Sequence, residues 1–432
     1  VSAYADFLAG KQRRVEPLGR PCDESDIDPR LHPWQRQIVA WAVQLGRADL
    51  WEDTGTGKTW QQIQWARLSG DRSLIAAPLA VCHQTVREAA KLDLEVRYAR
   101  SDDEAAGPGI WVTNYQRVHR FDPAALDAFV LDEASILKQS DGKTRTALIR
   151  HCRDIKRKIG CSATPAPNDP EELTSQAEWL GVMPRAEMLA AYFVHDDTGW
   201  RVKGHARRPM FAWMSRWAVA LRRPSDIGGD DSGYILPGHR ILTHLLPVDI
   251  VPDGQLFATD LGGVGGRARI RKATTEARCE ETARLVMAEP GEPWIIWCGL
   301  NSEAGLLARL IPGAVNVHGS MSPEEKAEAL LGFADRQYRV IITKTSIASF
   351  GMNWQHCARM AFCGLSDSFE AVYQAIRRCD RYGQSRLVDV HVVLSELEGQ
   401  IAENVTRKER QAAQMTDELI REMRAAGELM AA

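Results

Sequence analysis

Trp51-Glu52-Asp53-Thr54-Gly55-Thr56-Gly57-Lys58-Thr59 is the stretch on which the reading of this chain turns. A glycine-rich turn lets successive backbone N–H groups point inward at phosphate oxygens, and the N-terminus of a following helix adds positive potential. Asp53, Thr54, Gly55, Thr56 and Gly57 form such a cradle. Lys58 is placed to reach the β- and γ-phosphates of a nucleotide, and the Thr59 hydroxyl to hold magnesium. Glu52 stands where the full pattern has a small residue, so the match is partial. Gly-Lys-Thr alone recurs by chance in about one chain in ten of this length. This chain has a second copy, Gly142-Lys143-Thr144. Context separates the two. The first follows a predicted short strand, 48–52, and opens a predicted helix with Trp60, Ile63 and Ala66 on one face. The second follows Lys138-Gln139-Ser140-Asp141, a loop, and is read as structural.

About seventy residues downstream, Phe129-Val130-Leu131-Asp132-Glu133-Ala134-Ser135 is an apolar strand ending in two adjacent carboxylates. Asp132 suits the second magnesium contact, and Glu133 suits orienting and polarising an attacking water. Upstream, Gln35 offers an amide that can pair with an adenine edge as donor and acceptor. Far along the chain, Gln374-Ala375-Ile376-Arg377-Arg378-Cys379-Asp380-Arg381 puts Arg378 and Arg381 one helical turn apart, on a shared face. Cations there can stabilise charge on a transferred phosphate. Taken singly, the last two features read as a polar helix position and a solvated basic face.

Around these motifs the pattern alternates. Helical periodicity at 34–43 and 81–91 is interleaved with short apolar runs at 73–77, 110–112, 129–131 and 158–161. Runs at 294–298, 314–317, 340–343, 360–362 and 388–394 form a second such series. Strand–helix alternation predicts an α/β fold with two parallel sheets covered by helices. The expected divisions are a lead-in over 1–30, a first lobe over 31–184, a connecting module and linker over 185–272, a second lobe over 273–395 and a helical tail over 396–432. The module is aromatic (Tyr192, Phe193, Trp200, Phe211, Trp213, Trp217). It carries Arg201, Lys203, Arg207 and Arg208, then a glycine-rich hinge at 261–266 followed by Arg267, Arg269, Arg271 and Lys272.

Bulk composition excludes other classes. With 44% apolar and 26% charged residues, the chain has the composition of a folded globular protein. Its net charge is −3, so any nucleic-acid surface is local. Nine cysteines without a Cys-x-x-Cys pair suggest neither a disulfide framework nor zinc, and fit a reducing compartment. His356, Cys357 and Cys363 match no common zinc spacing and read as buried groups on a strand. No apolar run spans a membrane and no signal peptide is expected, so the location read from sequence is cytoplasmic. The start at Val1 rather than Met reads as a trimmed end.

As an ordered set the motifs resemble superfamily-two helicase-like ATPases, in their Swi/Snf-type branch. The resemblance runs over about residues 31–395. It takes in Pro33-Trp34-Gln35, Asp53 through Thr59, Ala77-Pro78-Leu79, Thr113-Asn114-Tyr115, Asp132-Glu133-Ala134 with Lys138, and Ser162-Ala163-Thr164-Pro165. The later half adds Gly319-Ser320, Thr345, Gly351-Met352-Asn353 and Gln374 through Gln384. Lys138 and the last of these look like the Swi/Snf branch rather than DEAD-box RNA helicases. The compact length and the wording around Phe350-Gly351-Met352-Asn353-Trp354 look like phage or prophage members, which implies a bacterial host cytoplasm.

The resemblance implies two RecA-like lobes that close on ATP and Mg, with nucleic acid across both. It implies that Ser162 and Thr164 couple hydrolysis to the grip on nucleic acid. It implies that Gln374, Arg378 and Arg381 reach ATP from the second lobe, and it offers Asn114, Thr345 and Asn353 as nucleic-acid contacts. Three departures stand out: Ser135 where many relatives have His or Asp, Ile347-Ala348-Ser349 in place of a more glycine-rich turn, and Ser162-Ala163-Thr164 where many Swi/Snf relatives have Gly-Thr. The expected activity is ATP-driven translocation on duplex or branched DNA, with a nuclease or replication protein as a possible partner. Arg201, Lys203, Arg207 and Arg208 are candidate phosphate contacts. An RNA helicase and a nucleotide-gated scaffold are the alternatives.

Overall fold

The computed structural model describes residues 15–138, 142–166, 169–197, 199–247, 271–348, 352–365, 369–398, 407, 414, 416–422 and 424–425. The chain forms two compact units. One is Val1–Tyr234 with Ala412–Ala432, the other Ile235–Gln411.

In the first unit, β1 (Arg47–Glu52), β2 (Arg72–Ala77), β3 (Val96–Tyr98), β4 (Gly109–Asn114), β5 (Ala128–Asp132) and β6 (Arg157–Ser162) alternate with α1 (Pro33–Leu45), α2 (Lys58–Ser69), α3 (Leu79–Ala90) and α4 (Lys143–His151). They continue into α5 (Leu173–Leu180), α6 (Arg185–Tyr192), a β7–β8 hairpin (Phe193–Asp196, Gly199–Val202), α7 (Arg207–Met214) and β9 (Ala218–Leu221). The seven-stranded sheet has the order β3-β4-β2-β5-β6-β1-β9, and its pairs are parallel. Its inner strands are buried on both faces, as a helix-covered parallel sheet requires. Successive residues point to opposite sides. Trp51, Leu74, Phe129 and Leu131 join a core with Trp179, Trp213 and Trp217. Leu50, Ile75, Val130 and Ile159 join another with Ile38, Val43 and Trp65.

The first lobe runs further than the sequence suggests. Residues 185–221 were expected to begin a connecting module; instead α6 and α7 cover one face of the sheet and β9 adds a parallel strand beside β1. Trp213 and Trp217 are fully buried. Trp217 meets Trp51 edge-on with centroids 5.5 Å apart. Ala-Val-Ala-Leu is too short to show a period, and only the open edge of β1 makes it a strand. The tail also returns here: Leu419 and Ile420, in a helical segment at 416–422, are buried in this same core. Most of the expected tail, the hinge at 261–266, Arg267 and Arg269 lie outside the described residues.

The second unit holds β10 (His239–Leu246), α8 (Thr275–Ala288), β11 (Trp294–Cys298), α9 (Asn301–Leu310), β12 (Val315–Asn316), α10 (Pro323–Ala334), β13 (Val340–Thr343), α11 (Thr345–Ala348), β14 (Arg359–Cys363), α12 (Phe369–Ile376) and β15 (Val388–Ser395). Its parallel sheet runs β10-β15-β14-β11-β13-β12. β10, unexpected from sequence, pairs along its whole length with β15 and forms the edge. A fully buried ion pair, Arg278–Glu303 at 2.8 Å, ties α8 to the start of α9. Glu303 also accepts the Gly299 and Leu300 N–H groups, so its charge is well satisfied. All nine cysteines are free thiols and buried. The two units are thus two RecA-like parallel α/β lobes in tandem, the fold class the sequence predicts.

Trp217→Ala should cost about 3–5 kcal/mol, because it empties a close-packed aromatic site under β1. Denaturant unfolding monitored by circular dichroism measures this. A loss below about 1 kcal/mol would mean that the 185–221 region is not core.

Candidate functional site

The three central strands that carry the motifs are neighbours. β6 lies between β5 and β1, with Trp51 opposite Ser162 and Asp132 opposite Cys161. Parallel strands end on one edge, so the loops after β1, β5 and β6 leave side by side.

The loop after β1 turns through Gly55 and Gly57, at φ 89° and 86°, and α2 begins at Lys58. Both glycines need the left-handed region. Gly142 of the second Gly-Lys-Thr is at φ −63° and merely precedes α4. The same three letters therefore adopt two different backbones. Lys58 Nζ donates to the Glu52 and Asp53 carbonyls, each at 2.7 Å, so the ammonium lies over its own loop. Thr56 Oγ1 donates to Asp53 O at 2.9 Å, and Thr54 N donates to Asp53 Oδ1 at 2.6 Å. The Glu52 side chain turns inward, is fully buried and accepts from Gln61 Nε2 at 2.8 Å. Burial holds its carboxyl above the usual range, with Lys58 pulling the other way.

Gln35 packs directly on this loop. Its Nε2 donates to Thr56 O at 2.6 Å and its Oε1 accepts from His32 N at 2.8 Å. A Cβ on Gly57 would come within 2.4 Å of Gln35 Nε2. Gln35 thus joins the start of α1 to the phosphate loop.

At the end of β5, Asp132 Oδ1 accepts from Gln62 Nε2 at 2.7 Å. Gln62 lies three residues after Thr59 on α2, so the Thr59 hydroxyl and the residue that holds Asp132 share a helix face. A hydroxyl and a carboxylate so placed are hard oxygen donors, the type magnesium takes. Burial pushes Asp132 up to about 6; the Gln62 hydrogen bond and the Lys58 charge oppose the rise, and Glu133 adds to it. Glu133 sits in the left-handed region at φ 57°, a conformation costing a non-glycine residue on the order of 1 kcal/mol. Its Oε1 accepts from Ser162 Oγ at 2.6 Å and Ser135 Oγ at 2.9 Å. Thr164 N in turn donates to Ser162 Oγ at 3.0 Å. The residues nominated for hydrolysis and for coupling are therefore joined by hydrogen bonds. Asn114 lies at the end of β4, two strands from β5.

Three contributors were not among the candidate site residues. Gln62 holds Asp132, the Tyr115 hydroxyl donates to the Asp132 carbonyl, and Leu221 O at the end of β9 accepts Asp53 N at 3.0 Å. Buried glutamines in consecutive positions of α2, Gln61 and Gln62, were the available clue.

In the second unit α12 ends at Ile376, so Arg378 and Arg381 do not share a helix face as expected; they follow in turns. They still converge, since Arg378 Nη1 and Arg381 Nη1 both donate to Met352 O, at 3.3 and 3.0 Å. Gln374 is fully buried, and its Oε1 accepts from Arg378 Nη2 at 2.9 Å. Thr345 opens α11, and Asn353 Oδ1 accepts from Gln355 N at 3.4 Å. Gly351 lies outside the described residues.

The basic residues of the 201–208 region are held by their own chain. Arg201 pairs with Asp196, Arg207 with Glu418, and Arg208 with Glu422 at 3.8 Å. Lys203 Nζ donates to Ala190 O at 2.8 Å. Arg271 is likewise engaged, with Glu398 and the Leu365 carbonyl. Among the described residues no helix is long and apolar enough to cross a membrane.

Fold and site together define a class: a parallel α/β protein with a glycine-rich loop opening a helix, paired acids at the end of a nearby strand and a second α/β lobe. Residues 277–383 of that second lobe match the helicase conserved C-terminal domain. Among solved structures the chain is similar to the Sulfolobus solfataricus SWI2/SNF2 ATPase core in complex with dsDNA, at 18% identity and a TM-score of 0.44, over 87% of this chain and 90% of that one. No curated protein matches.

Because folded Asp132 holds its proton more tightly than an unfolded aspartate, its contribution to stability is lost as pH rises from about 4 to about 6. Asn at this position has no such loss. Asp132→Asn should therefore melt above the parent at pH ~7.5 and show no such gain near pH ~4. Thermal unfolding at both pH values tests this, and an equal shift at both would contradict it.

Proposed function

We propose that this chain is a superfamily-two helicase-like ATPase that uses ATP hydrolysis to translocate on DNA. The observation that carries the reading is the convergence at one sheet edge of the Lys58 loop, the Asp132–Glu133 pair and Ser162, with Ser162 bonded directly to Glu133. The match of residues 277–383 to a helicase C-terminal domain supports it.

In this reading the loop amides and Lys58 hold the β- and γ-phosphates, Lys58 exchanging its two carbonyl acceptors for phosphate oxygens. Thr59 and Asp132 would hold magnesium, which supplies charge neutralisation to the phosphates. Glu133 orients and polarises the attacking water. Its anion is kept in place by the Ser162 and Ser135 hydroxyls. A shift of the 162–164 turn on nucleic-acid binding would thereby reach Glu133 through one hydrogen bond, which is the coupling assigned to Ser162 and Thr164. Arg378 and Arg381 stabilise charge on the γ-phosphate, and Gln374 sets the Arg378 guanidinium. Gln35 shapes the loop and offers its remaining N–H to the adenine edge. Asn114, Thr345 and Asn353 are proposed contacts to the nucleic-acid backbone. Arg201, Lys203, Arg207 and Arg208 can serve there only by giving up their present partners. The Swi/Snf resemblance of the Lys138 and 374–384 motifs favours DNA over RNA.

Lys58→Ala should lower DNA-stimulated ATP hydrolysis by about a hundredfold or more while leaving DNA affinity largely intact. Undiminished turnover would refute the assignment. Glu133→Gln should lower kcat by a similar factor with little change in nucleotide affinity, because it removes a group acting on the water and not on the phosphates. Steady-state ATPase assays with matched DNA and RNA duplexes measure both effects and identify the stimulating nucleic acid.

A further inference from the structure

The first lobe carries a second cationic site at the other end of β6. Lys158 is four residues before Ser162 on that strand, which places it about 13 Å from the phosphate-loop edge. It is 1% exposed, yet its ammonium has no carboxylate within 4 Å among the described residues; Nζ donates only to the Trp179 carbonyl, at 2.6 Å. Burial, then the charge of Arg47, pull its pKa down to about 8. Such a group is stabilised by any anion that reaches it.

The space beside it is a cleft of about 580 Å³ between α4, α5 and the residues before α6. Arg145, Arg150, Arg153 and Lys158 line it, and Glu178 is the one acid among its lining residues. Glu178 is taken by Arg145, which also donates to Ser175 Oγ at 3.0 Å. Arg47, opposite Lys158 on β1, lies at the cleft wall, where a Cβ on Gly181 would come within 2.7 Å of its Nη1. Arg150 and Arg153 are exposed, and neither has an acid or hydrogen-bond acceptor among the described residues. This contrasts with Arg201, Arg207 and Arg208, which are paired. The cleft therefore combines a rigid, buried cation, a buried arginine held in place and two uncommitted guanidinium groups. Guanidinium forks in such an array suit phosphate oxygens.

We propose that this cleft is a second anion-binding site, distinct from the Lys58 loop, that takes a compact ligand bearing several phosphate charges. The phosphates can come from a free oligophosphate or from a nucleic-acid backbone. The inference does not depend on the ATPase reading, since it concerns other residues at the opposite sheet edge.

The test is isothermal titration of the full chain with inorganic tripolyphosphate in the Lys58→Ala background, which removes the lysine of the phosphate loop. One equivalent should still bind. Adding Arg150→Glu with Arg153→Glu should weaken that binding about tenfold or more, whereas Lys272→Glu, an exposed cation of the second lobe, should not. Both arginines are exposed, so the double variant keeps the fold, and circular dichroism verifies this. Loss of all binding in Lys58→Ala alone would overturn the proposal, as would an unchanged affinity in the double variant. A short DNA duplex titrated into the same variants separates the sources. Weakening of duplex and tripolyphosphate together identifies a nucleic-acid backbone, and weakening of tripolyphosphate alone identifies a free ligand. Basal ATP hydrolysis, read separately with Arg150→Glu and Arg153→Glu in the chain that keeps Lys58, should be unchanged.

Discussion

Parallel pairing of β6 between β5 and β1 is the constraint on which the candidate site depends. Neighbouring strands are held about 4.8 Å apart by their ladder, and parallel strands must all finish at one edge. The registers Trp51–Ser162 and Asp132–Cys161 then leave no freedom in where the three loops emerge. Ser162 reaches Glu133 because their strands are adjacent, and Thr164 reaches Ser162 because the chain turns at once. A one-residue slip of β6 would turn Ser162 to the opposite face and break this chain of bonds.

The site is costly to hold in this form. Glu133 occupies a left-handed conformation, Glu52 is a fully buried acid, and Asp132 resists ionisation. These costs are typical of functional positions and persist only where the surroundings over-determine them. Here the surroundings are specific. Gln61, Gln62 and Gln35 are buried amides, each committed to one group of the site, and β9 anchors the loop entrance through Leu221. Behind β1, Trp51, Trp213 and Trp217 meet edge to face in an aromatic cluster that keeps the strand in place. The region that reads as a connector is thus the support of the phosphate loop.

Charge in the first lobe follows the same division between committed and uncommitted groups. Arginines near α7 are neutralised by Glu418 and Glu422, in the part of the chain that returns after the second lobe. At the start of β6, cations gather with few acids to answer them. A single strand thereby separates two phosphate-suited regions, one built from backbone amides and glycines, the other from side-chain cations.

Period and motif in the sequence were enough to locate the core of both sheets. The runs at 294–298 and 340–343 coincide with β11 and β13, and those around 73–77, 129–131 and 158–161 fall within one residue of β2, β5 and β6. They were legible because buried parallel strands are short apolar runs whose burial is encoded locally. The turn through Gly55 and Gly57 was legible for a related reason, since its glycines meet a local backbone demand. β9, β10 and the tail were not, because their state depends on an edge or core supplied by residues distant in the chain. Nor could spacing say that Gln35 would grip Thr56, that Arg378 and Arg381 would meet at Met352 beyond the end of a helix, or that Arg207 would already have a partner. The sequence by itself determined which residue types were available for phosphate chemistry and which segments could be buried. Tertiary structure alone decided which of those groups touch, because hydrogen bonds and ion pairs are set by distances that no local pattern contains.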